Sequence, residues 1–408
     1  MSAFFRLVCG FEVLTPMFLG GADSKTAELR APSIKGAMRF WYRAFDPKFD
    51  KHEPLCFGSG GQHAGQSCLI VRCRPPQGTQ AHMDWSKMRP EQFNKGSGRQ
   101  TTNGLVYLGY PFGMGDNKQR TAISPGARFT VEVSCHRSAP GELSAGVTPL
   151  RAALASMWGL GHFGALGSRA RRGFGAVALT SWRLEDREGA ALSDTADLEG
   201  LPMLHGASSG DAWRAGAHQG IEALRRWFGP FENGALQPGR RRDGGPHHPC
   251  FGSSANLVVR SEHHRKEDWR GALLALGQEL QDFRQRRQPD YDRVKEHVRF
   301  DGRDGGRRIE RVPDRATFGL PLTFRYGSLP RGRPVTFAPT EGERHGSLLF
   351  LRPVLAGGAL FGLFLCLDGD VPGIDTRVGL RGTGRSLEPA ANNAMDDFMR
   401  EMKGKAGQ

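Results

Sequence analysis

The sequence predicts an α+β fold made of two ferredoxin-like (RRM-like) lobes with insertions. Two patterns support this prediction. The first half of the chain can be divided into strand-like and helix-like segments in the order βαββαβ, and a long polar insertion separates its two middle strands. A looser run of strand, helix and strand patterns begins after residue 250. In a ferredoxin-like unit such segments form an antiparallel sheet backed by two helices.

The elements of the first half follow from their apolar patterns. Strand patterns occur at Phe4–Leu14, Ser67–Arg74, Arg128–Cys135 and Phe174–Trp182. Apolar side chains three and four residues apart predict helices from Ser33 to about Phe45 and over Val147–Phe163. Ser33 is the predicted N-cap of the first helix. The insertion, about Pro75–Gly126, is polar and glycine-rich, so we expect it to project or to be partly mobile.

The second half repeats these patterns less regularly. A helix is predicted over Trp213–Phe228, before a linker that contains Arg240, Arg241 and Arg242. Further elements are predicted at Ser254–Arg260 (strand), Glu267–Arg287 (helix), Ser347–Val354 and Leu360–Leu367 (strands), and near Leu387–Met402 (helix). The expected organisation is a first lobe at 1–190, a helical connection and basic linker at 191–245, and a second, degenerate lobe at 246–408.

The charge of the chain indicates the class of its partner. Its 408 residues include 56 Lys and Arg against 42 Asp and Glu, a net charge of +14. This excess favours a polyanion, with nucleic acid as the first candidate and a membrane surface as a weaker one. Ser2–Gly10 lacks the features of a signal peptide, and the apolar run Pro353–Leu367 is too short to span a bilayer. Seven cysteines without disulfide spacing indicate a cytoplasmic location.

The strongest functional pattern is Gly159–Gly175, GLGHFGALGSRARRGFG, which contains six glycines. Glycines allow close approach to a ligand, successive N–H groups hold anions, and arginine matches phosphate geometry. The surrounding segment Leu143–Leu184 has five arginines and no carboxylate. The pattern indicates a phosphate contact made by Gly167, Ser168, Arg169, Arg171, Arg172 and Phe174. A solvated surface loop is the structural alternative.

A second basic pattern lies at the start of the first predicted helix. Lys35, Arg39 and Arg43 are four residues apart and form one stripe, with Arg30 just before them. Lys35 falls in the first turn, where the helix dipole disfavours a cation, so a docked anion would offset its charge. We expect this stripe and the glycine–arginine segment to contact one RNA strand. A solvated helix face is the alternative.

Catalytic and metal-binding groups are also present, each with a structural alternative. Asp23, Glu28 and His162 are candidates for RNA cleavage. Each has a structural alternative: Asp23 could cap a turn, Glu28 could form an ion pair, and His162 could occupy a structural position. The clusters His52, Cys56, His63, Cys68, Cys73 and His247, His248, Cys250 lack paired zinc spacing, so no metal or other cofactor is expected. Phe40, Tyr42 and Phe174 could stack on RNA bases or pack in the hydrophobic core, and the sequence favours neither role.

Two blocks resemble a known family. ELRAPSIKGAMRFWYRA, from Glu28, and LGSRARRGFG, from Leu166, are similar to the RAMP superfamily of CRISPR effector subunits. The agreement is with the large RAMP subunit of the type III-B (Cmr) RNA-guided complex, over about Leu7–Leu184. GLPLTF, from Gly319, and RHGSLLFLRPV, from Arg344, match more loosely.

The resemblance implies a non-catalytic RNA-binding subunit for antiviral defence. Such a subunit would hold the 3′ region of the guide RNA (crRNA), the target RNA, or both, and its other partners would be the remaining RAMP subunits of the Cmr complex. No membrane partner is implied. The alternative is a RAMP endoribonuclease that cleaves guide precursor or target RNA.

Overall fold

The computed structural model describes residues 4–60, 65–75, 82–84, 103–113, 120–136, 139, 141–193, 197–231, 247–287, 290–299, 309–326, 334–383 and 385–407. The chain divides into two compact units by its contacts. The first unit contains Met1–Phe231, Leu257–Gln278 and Phe350–Leu365, and the second contains Glu232–Asn256, Glu279–Leu349 and Cys366–Gln408. The domain boundaries that we place near residues 190 and 245 stay a prediction.

The first 231 residues contain seven strands and five α-helices in the part that the structure describes. In chain order they are β1 (Phe5–Val13), α1 (Ala31–Phe45), α2 (Phe49–Phe57), β2 (Leu69–Arg74), β3 (His82–Asp84), α3 (Gly104–Gly109), β4 (Thr121–Ile123), β5 (Arg128–Cys135), α4 (Pro149–His162), β6 (Val177–Glu185), β7 (Ala191–Ser193) and α5 (Gly210–Phe228).

The main sheet of the first unit has the strand order β2–β5–β1–β6–β7, and every neighbouring pair is antiparallel. Without the short β7, this is the ferredoxin-like order, so the predicted βαββαβ arrangement is confirmed. Helices α1 and α4 pack closely at Gly159. A Cβ there would lie 2.7 Å from the Phe45 ring and 2.9 Å from the Trp41 side chain.

Several element boundaries differ from the sequence prediction, and the local sequence explains two of them. Helix α1 begins at Ala31, with Arg30 at the N-cap position, and Ser33 is therefore inside the helix. Pro32 explains this start, because proline suits the first helical turn and its missing N–H is not needed there. Strand β6 begins at Val177 rather than at Phe174, because the preceding residues form a loop with left-handed backbone conformations.

The described parts of the insertion are packed rather than projecting. Strands β3 and β4 pair with each other, and Leu105, Leu108 and Phe112 are buried. A Cβ on Gly104 would lie 2.3 Å from the carbonyl oxygen of Leu274, so the backbone of α3 is in close contact with the helix that contains Leu274. The expectation of a projecting element is therefore wrong for residues 103–113.

The second half of the chain contributes six strands and three α-helices to the described structure. They are β8 (Asn256–Arg265), α6 (Trp269–Arg286), α7 (Asp290–Arg299), β9 (Leu322–Phe324), β10 (Val335–Pro339), β11 (Leu349–Ala356), β12 (Ala359–Cys366), β13 (Val378–Leu380) and α8 (Ala394–Ala406). No described helix of the chain is both long and apolar enough to cross a membrane.

A second, incomplete ferredoxin-like pattern runs through these elements. The sheet order β11–β12–β8 repeats the order β2–β5–β1, with the second, third and first strands of a unit side by side. Helix α6 follows β8 as α1 follows β1, and within the described residues no strand after α8 takes the place of β6. These three strands thus repeat part of the ferredoxin-like order, and the second lobe at 246–408 stays a prediction.

The core of the second unit lies beneath a small separate sheet, β13–β10–β9. Its buried residues are Val294, Ile309, Val312, Ala316, Leu320, Phe324, Tyr326, Phe337, Val378, Leu387 and Ala390. Beside it, Phe283 and Phe318 pack edge-on against Phe398 of α8.

A buried arginine joins β11 to the end of the first lobe. Arg352 is 2% exposed and donates hydrogen bonds to the carbonyl oxygens of Gly164, Val177 (2.7 Å) and Pro353 (3.1 Å). Gly164 and Val177 flank the loop between α4 and β6. No carboxylate of the described residues pairs with Arg352, and burial lowers its pKa to about 9, so it stays charged at neutral pH. Both ends of the loop therefore depend on this guanidinium.

We expect the substitution Arg352→Met to destabilise the chain by roughly 3 kcal/mol or more, because it leaves buried carbonyl oxygens without donors. Urea unfolding at neutral pH measures the free energy. Arg226→Met, at an exposed position, is the control and should change stability by no more than about 0.5 kcal/mol. Equal stability of the two variants would show that Arg352 does not hold the loop.

Candidate nucleic-acid interface

The two predicted basic loops are in contact. We call residues 14–30 the first-strand loop and residues 164–176 the glycine–arginine loop. Five hydrogen bonds join them: Leu14 N–H to Ala176 O (2.8 Å), Ser168 N–H to Phe18 O (2.9 Å), Gly175 N–H to Pro16 O (2.9 Å), Thr15 Oγ1–H to Gly173 O (2.7 Å) and Ala176 N–H to Thr15 Oγ1 (2.9 Å). The structure therefore joins the glycine–arginine loop to the loop that ends at Arg30, just before the rest of the basic stripe.

Two glycines allow this close approach. Gly167 and Gly175 have φ values of +91° and +69°, which L side chains rarely adopt. A Cβ on Gly167 would lie 2.5 Å from the carbonyl oxygen of Phe18, and one on Gly175 would lie 1.9 Å from that of Leu166. The glycines of the motif thus shape the loop, and Gly167 is also exposed to solvent.

An aromatic cluster supports both loops from inside. Phe18 stacks on Phe112 at a centroid distance of 3.9 Å, and Phe174 meets Phe112 edge-on at 5.2 Å. Phe174 has no exposed surface, so it presents no face to a base. Tyr42 is also fully buried, and it donates to Asp46 (2.6 Å). Both residues therefore lie in the core, and we omit Phe174 from the proposed interface.

The Arg171 side chain helps to hold the loop in place. Its guanidinium lies 5.4 Å from the ring centroid of Phe40 and 4.9 Å from that of Phe350. Burial lowers the pKa of Arg171 to about 10, which leaves it charged at neutral pH. Phe40 is partly exposed, but this contact occupies part of its ring surface. Arg171 therefore stabilises the loop through cation–π contacts.

Arg169 and Arg172 are also partly buried. Arg169 has φ of +64° and donates from Nε to the carbonyl oxygen of Leu108 (2.7 Å). The Arg172 N–H donates to Arg169 O (2.8 Å), and Arg172 pairs with Leu351 in a parallel bridge. The loop is thus more closely packed than the expected exposed loop, and its fully exposed residue is Gly167, beside Ser168.

The basic stripe of α1 divides into paired and unpaired cations. Arg39 and Arg43 both pair with the carboxylate of Glu53, whose side chain is only 5% exposed. Lys35 and Arg30 make no ion pair with any described carboxylate, and both are partly exposed. Burial, with a contribution from Arg39, lowers the pKa of Lys35. The predicted stripe therefore keeps its free positive charge at the start of the helix.

Lys35 and Arg39 line an open groove of about 590 Å³. Its walls are the first turns of α1, the segment around Gly58 and Ser67, and strand β2 from Leu69 to Val71. No carboxylate lines the groove in the part of the chain that is described. The groove can therefore accept an anionic group beside Lys35.

The candidate catalytic groups are engaged elsewhere. Asp23 accepts hydrogen bonds from Thr26 Oγ1 (2.6 Å), Thr26 N–H (2.8 Å) and Lys25 N–H (2.9 Å), and these bonds lower its pKa. It therefore caps a turn as an ionised carboxylate. His162 is 2% exposed and packs against Trp158, so it lies in the core.

The described histidines of the candidate metal clusters hydrogen bond to other groups. His52 hydrogen bonds to Asp46 and to Ser144, both at 2.8 Å, and His247 bonds to Asp370 at 2.9 Å. Across the described ranges, no three His, Cys, Asp or Glu side chains are arranged to hold a metal ion. His63 and Arg240–Arg242 lie outside the described residues.

Sequence reasoning missed two arginines at this site. Arg120 donates to the carbonyl oxygen of Phe18 (3.4 Å), and nothing in the polar insertion distinguishes it beforehand. Arg352 did carry a signal, because it is a single charge inside the apolar strand pattern Ser347–Val354.

A pH effect on stability follows from His162. Burial, with the Arg352 charge and His205 adding to it, holds the pKa of His162 well below its ordinary value of 6.5. Below about pH 6.5 the unfolded chain binds a proton at this ring that the folded chain does not, so stability falls as pH falls.

We expect the substitution His162→Leu to reduce the fall in folding stability that occurs as the pH drops below about 6.5. Urea unfolding of both proteins at pH values above and below 6.5 measures it. His205 and His218, whose pKa values burial also lowers, account for some of the remaining slope. The same pH slope in wild type and variant would contradict a neutral, buried His162.

Two comparisons of the sequence find similar proteins. The RAMP superfamily model matches residues 10–178. The CRISPR system Cmr subunit Cmr1-2 of Pyrococcus furiosus is 40% identical over 40 residues, which is 10% of this chain and 21% of that protein. This local alignment thus spans about a fifth of the curated relative.

Similarity to solved structures extends over nearly the whole chain. Cmr1 from Pyrococcus furiosus in its apo form aligns with a TM-score of 0.51 and 16% identity, over 97% of this chain and 96% of that one. A chain of the type III-B Cmr-beta complex bound to cognate target RNA aligns with a TM-score of 0.52 and 11% identity, over 98% and 99%. Residues 10–178 thus match the RAMP superfamily model, and the chain has a fold similar to that of Cmr1.

Proposed function

We propose that this chain is an RNA-binding, non-catalytic subunit of a type III-B Cmr effector complex. It would hold the 3′ region of the crRNA, the target RNA, or both, in contact with the other RAMP subunits. The observation that carries the proposal is the hydrogen-bonded junction of the first-strand loop and the glycine–arginine loop, within a Cmr1 fold. The relatives are a Cmr subunit and a Cmr complex bound to target RNA, which supports the same partners here.

The junction suits an RNA backbone rather than particular bases. Gly167 and Ser168 present exposed backbone and a hydroxyl, and Arg30 and Lys35 supply cations that no described carboxylate neutralises. Such groups contact phosphate and sugar, which carry no base identity. The buried aromatic residues Phe18, Phe112 and Phe174 support the loops without being available for stacking. We therefore expect sequence-tolerant, salt-dependent binding.

The proposal of a non-catalytic role is supported by the groups around the junction. Asp23 is committed to three hydrogen bonds within its own turn, and His162 has almost no exposed surface. A general acid or base must reach the proton that it transfers, and a buried ring does not reach an RNA on the surface. Cleavage of RNA by this chain is kept as an outcome of the tests below.

We expect Arg30→Ala with Lys35→Ala to weaken RNA binding while leaving stability nearly unchanged, because both cations are unpaired and partly exposed. Anisotropy titrations of a labelled unstructured RNA over a salt series measure affinity. Each lost phosphate contact should reduce the log–log salt slope by about 0.7.

A second variant, Arg39→Ala with Arg43→Ala, removes the same charge from two paired arginines. It leaves Glu53 buried without a partner, so it should destabilise the fold by about 3 kcal/mol. The proposal fails if the wild-type chain shows no salt-dependent binding to RNA. If the Arg30/Lys35 variant binds like wild type, these two residues are not part of the interface.

We also expect Asp23→Ala and Glu28→Ala to leave target cleavage by the assembled complex largely intact, because neither belongs to a partnered acid–base pair. A gel assay of target RNA in the reconstituted complex measures cleavage, with assembly and RNA binding checked in parallel. Loss of cleavage with normal assembly would assign this chain a nuclease role.

A further inference from the structure

The second unit carries another basic surface, at residues 377–383 and 385–387, which we call the arginine hairpin. We propose that the arginine hairpin is a second contact for the RNA backbone, separate from the junction of the two loops in the first unit. This inference rests on the proposed function and extends it to a surface that the sequence patterns above do not include. Its arginines are Arg377, Arg381 and Arg385, all exposed.

The hairpin is firmly attached to the core of its unit. Val378 and Leu387 are buried in the core beneath β13, and the Leu387 N–H donates to the carbonyl oxygen of Val378 (2.8 Å). Side chains alternate along a strand, so Arg377 and Arg381 lie on the opposite, solvent face from Val378. The apolar face thus holds the arginines in a fixed arrangement on the outside.

The two arms of the hairpin also approach very closely. Gly379 forms a bridge with Ser386, and a Cβ at Gly379 would lie 2.6 Å from the carbonyl oxygen of Arg385. At the tip, Gly382 has φ of +89°, and the Thr383 N–H donates to the carbonyl oxygen of Leu380 (3.1 Å). The hydrogen bond closes a turn over residues 380–383.

The neighbouring strands continue the basic, hydroxyl-bearing face. The Arg381 N–H donates to Thr336 O on β10 (2.9 Å), and the Thr336 hydroxyl is 3.0 Å from that of Thr323 on β9. Arg325, two residues further along, is exposed as well. The chain thus presents arginines and threonine hydroxyls across three adjacent strands.

The arginines of this face lack the carboxylate partners that several other arginines of the second unit have. Arg286, Arg311 and Arg400 each pair with a carboxylate at 2.7–2.9 Å. Among the described residues, no carboxylate pairs with Arg325, Arg377, Arg381 or Arg385. Unpaired arginines beside threonine hydroxyls on this face are suited to an external polyanion.

An RNA backbone fits this face better than a protein does. Protein interfaces depend on large apolar or aromatic anchors at their centre. The exposed large hydrophobic residues of the described chain are Phe4, Ile70, Tyr110, Leu192 and Leu274, and none belongs to this unit. Arginine with hydroxyl groups is the usual chemistry of phosphate and sugar contacts.

The test compares two triple variants of the full chain. The first is Arg377→Ala, Arg381→Ala, Arg385→Ala, and the control is Arg286→Ala, Arg311→Ala, Arg400→Ala, which removes the same charge from paired arginines. Anisotropy of a labelled, unstructured RNA is measured over a salt series, and thermal melts check folding. We expect the hairpin variant to bind at least tenfold more weakly, with a log–log salt slope smaller by about 2. The control should change affinity less than threefold.

Each other outcome has a distinct meaning. If wild type binds RNA and the two variants bind equally, the arginine hairpin is not an RNA contact, while the proposed function stands. If wild type itself does not bind RNA, the proposed function fails first. A hairpin variant that keeps its RNA affinity but loses binding to poly-L-glutamate would identify an acidic protein surface and overturn the inference.

Discussion

The structure of the candidate interface depends on the guanidinium of Arg352. This buried side chain bonds to carbonyl oxygens on both sides of the glycine–arginine loop, at Gly164 and Val177. A buried charge without a carboxylate is tolerated only when its hydrogen bonds are satisfied. The loop supplies those acceptors, and the arginine in turn brings the two ends of the loop together. Strand β11 thus determines the shape of a loop almost two hundred residues earlier in the chain.

Other contacts fasten the same loop. Arg171 lies near the rings of Phe40 and Phe350, and the backbone of Arg171 accepts a hydrogen bond from Leu351. The arginines that dominate the motif therefore act partly as structural groups. A loop held in this way loses little conformational freedom on binding, which favours a preorganised RNA contact. The free cations that complete the surface come from the neighbouring segment, at Arg30 and Lys35.

The sequence was most informative where local pattern decides structure. Strand β5 is found at its predicted bounds, Arg128–Cys135, because alternating burial along a strand is visible in the sequence. The pairing of Arg39 and Arg43 with Glu53 was not predicted, since it depends on the packing of α2 against α1. Phe174 suited a stacking role and a core role equally, and only its contacts with Phe112 separate them. Arg352 is a single charged residue in an apolar strand pattern, but its hydrogen-bond acceptors lie almost two hundred residues earlier and could not be identified from that pattern.

Crosslinking with 4-thiouridine-substituted RNA, followed by mass spectrometry of the crosslinked peptides, tests the central claim most directly. The full chain is irradiated with labelled RNA at low salt, and the crosslinked segments are identified. The account predicts crosslinks in the first-strand loop or the start of α1, together with crosslinks around Gly167–Arg172. Crosslinks confined to other surfaces, with both of these segments unmodified, would contradict it.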